Sequence, residues 1–198
     1  ELIKLKLNSQ AERLIKEAAE ATNAVYGPNS DEAAISLIEL ANFYAAEGQS
    51  DKAIAIAENT LNIYLHNEAQ LPLNSTSDIH EAIRRLYDTA DLIAEKHQAQ
   101  KAIDLVTKLL SIQNKKLPAK NAQIGLTLME LGRLYRKAGK LDKAEPLYKK
   151  AIEIKQELYG NGRMSRYEIG EYTDVLRQLG KNEEADRLST LSIVSKSN

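Results

Sequence analysis

Four stretches of the chain repeat one spacing of apolar residues. Leu37, Leu40, Ala41 and Tyr44 are matched by Leu86, Thr89, Ala90 and Ile93, then by Leu128, Leu131, Gly132 and Tyr135, then by Ile169, Tyr172, Thr173 and Leu176. Steps of three, one and three put these side chains in a single stripe on one face of a helix. Each stripe runs into Gly48, His97, Gly139 or Gly180. A positive φ costs Gly nothing and His little, so each of these positions predicts a tight turn. A second helix is predicted after every turn, with Asp51, Asp142, Glu183 and Glu184 in first turns, where the helix dipole favours acids. Its buried stripe runs Ala53, Ala57, Thr60 in one unit and Ala144, Tyr148, Ala151 in another. Small residues there let two helix backbones approach, and the Tyr fills the gap to the next unit.

The pattern has a period. The alanines that open the second helices, Ala11, Ala53, Ala102, Ala144 and Ala185, lie 42, 49, 42 and 41 residues apart. The longer interval contains an insertion of seven residues, placed within the polar stretch HNEAQLPLNSTSD. Within this register stand AERLIKEAAEATNAVYG at 11–27 and AEPLYKKAIEIKQELYG at 144–160, the same phrase written twice without a gap. A helix–turn–helix unit repeated at fixed period predicts an α-solenoid.

At residues 128–160 the chain resembles a tetratricopeptide repeat of the longer, kinesin-light-chain-like kind. The residues that carry the likeness are Leu128, Leu131, Gly132, Tyr135, Gly139, Ala144, Tyr148 and Ala151. The unit beginning at Ile35 matches nearly as well. The next is weaker, with His97 for Gly and Thr89 for Leu, and the last fades after Ala185, where Ser189 and Ser192 replace Tyr or Ala. The resemblance implies an all-α fold, a right-handed superhelical array of antiparallel helix pairs whose first helices line a concave, peptide-binding groove. It divides the chain into a half repeat at 1–27 (second helix only), repeats at 31–71, 78–118 and 121–160, and a degenerate repeat at 163–198. That makes about four and a half units and nine helices. Leu2 falls in the Tyr44/Tyr135 column, so residues 1–6 are expected to end a first helix whose remainder lies upstream. An N-terminal cap is the alternative.

Composition narrows the function. A 43% hydrophobic content with one Phe, no Trp and nine Tyr leaves the core to Leu, Ile, Ala and Tyr. A net charge of −1 argues against nucleic acid or an anionic membrane as a general partner. No apolar run reaches the roughly 18 residues of a spanning helix. The absence of cysteine removes disulfides, thiolate metal sites and thiol nucleophiles. The chain starts at Glu1, so a removed signal peptide or further protein is expected upstream; a cytoplasmic location is favoured. His66, His80 and His97 show no metal-ligand spacing, and a site of His66, His80 and Glu81 would need the insertion to fold them together. The GxG at Gly160 and Gly162 lacks a strand and a third Gly, and NSTS is a linker. No enzyme, cofactor or metal is expected.

The expected groove is chemically uneven. One residue before the second apolar position of each stripe stand Glu39, Asp88, Glu130 and Glu171. Three residues further come Asn42, Asp91, Arg133 and Asp174, then Ala45, Ala94, Arg136 and Arg177, with Ala45 expected to face the groove. Kinesin-light-chain-like repeats carry Asn in the first of these columns, so their acidic-peptide preference is not carried over. A carboxylate clamp of the chaperone-binding kind needs Lys and Asn at several of these sites, and only Asn42 fits. Between residues 31 and 64 there are six acidic residues and one basic, whereas residues 133–155 hold eight basic and three acidic. This predicts a protein or peptide ligand of mixed charge, with an acidic stretch near Arg133, Arg136, Lys137 and Arg177. The alternatives are a structural spacer or oligomerisation segment of a larger protein, and a bundle-type metal carrier, for which no inward Glu-x-x-His pair is found.

Overall fold

The structure, a computed structural model, describes residues 2–67, 78–160 and 166–191. Two compact units meet at Gln98 and Ala99. The first contains α1 (Leu2–Tyr26), α2 (Asp31–Ala46), α3 (Ser50–Asn67) and α4 (Asp78–Ile93), ending in a wide-turned link, Ala94–Gln98. The second contains α5 (Ala99–Lys116), α6 (Ala122–Lys137), α7 (Leu141–Tyr159), α8 (Arg166–Gln178) and α9 (Asn182–Leu191). The link is kinked, with non-helical backbone at Lys96 and His97; counting α4, link and α5 as one run, the described residues form eight helical runs. The fold is an all-α solenoid of antiparallel helix pairs.

The turns are where the residue pattern placed them. Gly48, Gly139 and Gly180 have φ of 77°, 70° and 77°, and His97, the non-Gly residue in the same column, has φ 61°. At each Gly the same two backbone bonds close the preceding helix. Gly48 N–H donates to Ala45 O at 3.0 Å and Gln49 N–H to Tyr44 O at 2.8 Å. Gly139 and Lys140 repeat this on Arg136 and Tyr135, and Gly180 and Lys181 on Arg177 and Leu176. This left-handed closure satisfies carbonyls that a helix end otherwise leaves unpaired. Helix starts are capped as well: Ser30 Oγ accepts from Ala33 N–H at 3.0 Å, and Asn121 Oδ1 from Gln123 N–H at 2.8 Å.

In the first unit α2 is packed by α1, α3 and α4. Ala33, Ala34, Ile38, Ala41, Tyr44, Ala53, Ala57, Leu61 and Tyr64 form much of its buried interior. In the second, α6 packs between α5 and α7, and α8 between α7 and α9. The core there is centred on Leu128, Ala144, Tyr148, Ala151, Tyr172 and Leu176. Here the repeat solves a close approach. A Cβ built on Gly132 would meet the Tyr148 ring at 3.0 Å, so the ring lies where a side chain would otherwise be. Tyr148 in turn stacks on Tyr172 of α8, ring centroids 5.9 Å apart and planes 18° from parallel. The ring joins one helix pair to the next.

The structure departs from the repeat pattern at the start of the chain. Residues 2–6 do not end a separate first helix: α1 runs unbroken from Leu2 to Tyr26, and Lys6, in the column of the turn glycines, is helical. Lys6 has a Cβ, so the left-handed turn that Gly makes freely would cost it strain. The greater part of the seven-residue insertion lies outside the described residues, as does Ser192. His66 ends α3 exposed.

Candidate peptide-binding face

The first helices α2, α4, α6 and α8 present the residues singled out above, and burial divides them. Asp88, Lys137, Asp174 and Arg177 are exposed; Glu39, Asn42, Asp91, Ala94, Arg133 and Arg136 are half-buried. Glu130 and Glu171 are buried, at 7% and 6% exposure. Ala45, expected to face solvent, has 0% exposure and is a core residue; equivalence in the repeat does not carry over to equivalent accessibility when α1 lies on α2.

On the first unit these groups pair across neighbouring first helices. Thr89 Oγ1, on fully buried Thr89 of α4, donates to Asn42 Oδ1 of α2 at 2.5 Å. Glu39 forms an ion pair with Arg85, whose Nε also donates to Glu81 at 2.8 Å. The nearby Arg84 guanidinium holds the Glu81 carboxyl below its ordinary range through hydrogen bonds and charge. Arg85 escaped the column analysis because it stands one residue before the apolar stripe. The signal was present: Glu168 of α8 occupies the same column and pairs with Lys155 of α7.

On the second unit the cations expected to receive a ligand already hold carboxylates. Arg133 grips Glu130 with two nitrogens, Nη2 at 2.7 Å and Nε at 3.2 Å from Oε2. Arg136 Nη2 reaches from α6 to Glu171 of α8 at 2.9 Å, and the Tyr167 hydroxyl donates to the same oxygen at 3.1 Å. Arg177 makes a looser contact of 3.4 Å with Asp186. Beneath them, Arg136 Nε and the hydroxyls of Tyr148 and Tyr172 are buried without a well-formed hydrogen bond. Burial, then the charge of Glu171, pushes the Tyr148 hydroxyl far above the usual phenol range; burial, then Glu184, does the same for Tyr172. The Glu171 charge leads the smaller rise at Tyr167.

A cleft of about 550 Å³ opens in the first unit, lined by Leu37, Leu40, Ile63, Asn23, Asn59 and Asn62 among others. None of the expected site residues lines it. Among the described residues no group of three or more His, Asp or Glu side chains could hold a metal ion, and no helix is long and apolar enough to cross a membrane.

With this geometry established, known proteins place the fold. The sequence pattern of the tetratricopeptide repeat family matches residues 75–157. These residues carry the tetratricopeptide repeat pattern. The structure of the nearly identical repeats of a kinesin light chain from Podosopora anserina superposes at TM-score 0.60 and 19% identity, covering 98% of this chain and 92% of that one. BtubC (BKLC) from P. vanneervenii gives 0.64 at 20% identity, over 98% of this chain and 77% of that one. MamA gives 0.54 at 20% identity, over 96% and 88%. No curated protein sequence matches the chain. At these identities the neighbours share a tetratricopeptide-type solenoid with this chain, a fold whose repeats generally serve as protein-interaction scaffolds.

Proposed function

We propose that the chain is a non-catalytic scaffold that receives an extended segment of another protein on its first-helix face. The observation that carries this reading is the uneven charge of that face. In the second unit, exposed Lys137, Asp174 and Arg177 set both signs of charge on the first helices, and in the first unit Asp88 is exposed on α4. Glu130 and Glu171 hold the guanidiniums of Arg133 and Arg136 in fixed orientation, which lowers the entropy cost of using their outward N–H groups. An acidic stretch of a mixed-charge ligand docks at Arg133, Arg136, Lys137 and Arg177. Both arginines already carry carboxylates, so affinity is modest; Lys137 and Arg177, exposed to solvent and its ions, set its salt dependence.

Fluorescence anisotropy with labelled peptides of acidic, basic and mixed charge tests this. The acidic and mixed peptides are expected to bind, more weakly as salt rises, and to lose both affinity and salt slope with Lys137→Glu and Arg177→Glu together. These exposed changes leave thermal stability in place, unlike Arg136→Ala, which strands the buried Glu171. Binding that ignores both the double variant and ionic strength sinks the proposal. A second reading, a spacer or oligomerisation segment, is favoured by the internal neutralisation of Arg133 and Arg136.

A further inference from the structure

One side of helix α1 packs on α2, and a mostly exposed apolar stripe runs outside that contact. Asn8, Glu12, Ile15, Ala19 and Thr22, all half-buried, mark the side toward α2. There the Tyr44 hydroxyl donates to Glu12 at 2.7 Å and Ser36 Oγ to Thr22 Oγ1 at 3.1 Å. Turned away from it runs a second stripe: Leu7, Ala11, Leu14, Ala18, Ala21 and Val25. Leu7, Leu14 and Val25 are 59%, 58% and 73% exposed, and Ala18 and Ala21 are exposed as well.

In the other second helices the centre of this face is covered, although its far end is not: Leu158, in the column of Val25, is 40% exposed. In the column of Ala18 stand Thr60, Leu109 and Ala151, at 0%, 0% and 1% exposure; in that of Ala21, Ile63 and Ile154 are each at 4%. In α7 the covering element is its own first helix: a Cβ on Gly125 of α6 would lie 3.4 Å from Ile154 and 3.7 Å from the Ala151 carbonyl oxygen. In α1 the same route is closed, because the helix continues straight through Lys6 where the other units turn.

The spacing says what fits instead. Steps of four, three, four, three and four form the seam of a two-helix coiled coil. The seam is complementary to itself when reversed. In an antiparallel pair Leu7 meets Val25 of a second copy, Ala11 meets Ala21, and Leu14 meets Ala18. Large side chains lie over small ones at the centre, two alanines let the backbones approach, and the largest pair closes each end. Glu17 comes near its own copy across the dyad, and Arg13, already 3.8 Å from Glu17 in each helix, supplies the countercharge. We propose that the α1 stripe is a homodimerisation surface that pairs two copies of this chain antiparallel through α1. The proposal is independent of ligand binding by α4, α6 and α8.

Sedimentation velocity and light scattering on the 198-residue chain should give twice the chain mass at high micromolar concentration. Ala18→Glu should return it to a monomer with unchanged helical circular dichroism. Orientation is read by cross-linking, which native cysteines cannot confuse because there are none. Chains carrying Leu7→Cys and chains carrying Val25→Cys should form a disulfide when mixed and none when oxidised separately. In the antiparallel pair two copies of residue 7 lie about 27 Å apart along the axis, far beyond the roughly 7 Å that a disulfide spans. A dimer cross-linked by Leu7→Cys alone is parallel and overturns the proposal. So does a dimer that Ala18→Glu leaves intact, or a monomer at every concentration, in which case the stripe belongs to a helix of another protein.

Discussion

The two units use the same helix register with opposite chemistry. Where the second unit sets Gly132 against Tyr148, the first has Ala41 and Ala57 in the same columns, all four well inside the molecule. Where the first unit joins α2 to α4 through a neutral bond from Thr89 to Asn42 and the half-exposed Glu39–Arg85 pair, the second joins α6 to α8 through a buried glutamate and α7 to α8 through two stacked tyrosines. Repeat equivalence therefore fixes where a contact is made and leaves its energetic weight to burial. An ion pair whose side chains are 34% and 43% exposed stays solvated. One whose carboxylate is 6% exposed has lost its water and depends on its partner.

The aromatic joint gives the largest expected effect. Tyr148→Ala should destabilise the chain by about 3–5 kcal/mol, by analogy with large aromatic truncations in cores. Tyr148→Phe should be close to neutral, because the hydroxyl it removes has no well-formed hydrogen bond. In the first unit, Ala57→Tyr should cost about 1–3 kcal/mol through overpacking, and Ala41→Gly added to it should recover part of the loss. Chemical denaturation of the four variants decides this; failure of Ala41→Gly to help would mean the Gly–Tyr exchange is particular to the second unit.

The ion pairs come next. Glu171→Gln keeps the side-chain shape yet leaves the Arg136 guanidinium without its countercharge, and should cost about 1–3 kcal/mol. Glu39→Gln should cost about 0–1 kcal/mol, as exposed pairs do. Equal shifts in the denaturation midpoint would erase the distinction between the units.

The smallest effect is alkaline. Tyr148 and Tyr172 keep their protons in the folded chain above the ordinary value of 10.0, chiefly because burial disfavours the phenolate. A group whose folded pKa is raised contributes stability that is fully present below its unfolded value and lost as pH rises beyond it. The second unit should therefore weaken above about pH 10, with tyrosinate absorbance appearing together with loss of helicity. Tyr148→Phe with Tyr172→Phe should move that transition to higher pH; an unmoved transition would place the sensitivity elsewhere.

Much of the fold was legible because it follows from local rules. A stripe at helical spacing, a residue tolerant of positive φ, and acids after the turn each act within a few residues, so Leu128, Gly139 and Asp142 announce helix, turn and helix without reference to the rest of the chain. The period then carries the reading from one unit to the next, and even His97 in place of Gly keeps its left-handed turn. The candidate face was legible only as a set of positions. Glu130 and Glu171 stand in a column with Asp88, yet two are buried and one is exposed. Arg136 and Ala45 share a column, yet one crosses to the next helix and the other fills the core. Those outcomes depend on which helix lies opposite and at what offset, and on side chains 14 to 47 residues away, such as Gln113 for Thr127 and Asn42 for Thr89. Local periodicity determined the helices and their turns. Only their packing decided which charges neutralise one another and which stay exposed, because desolvation is a property of the assembled surface.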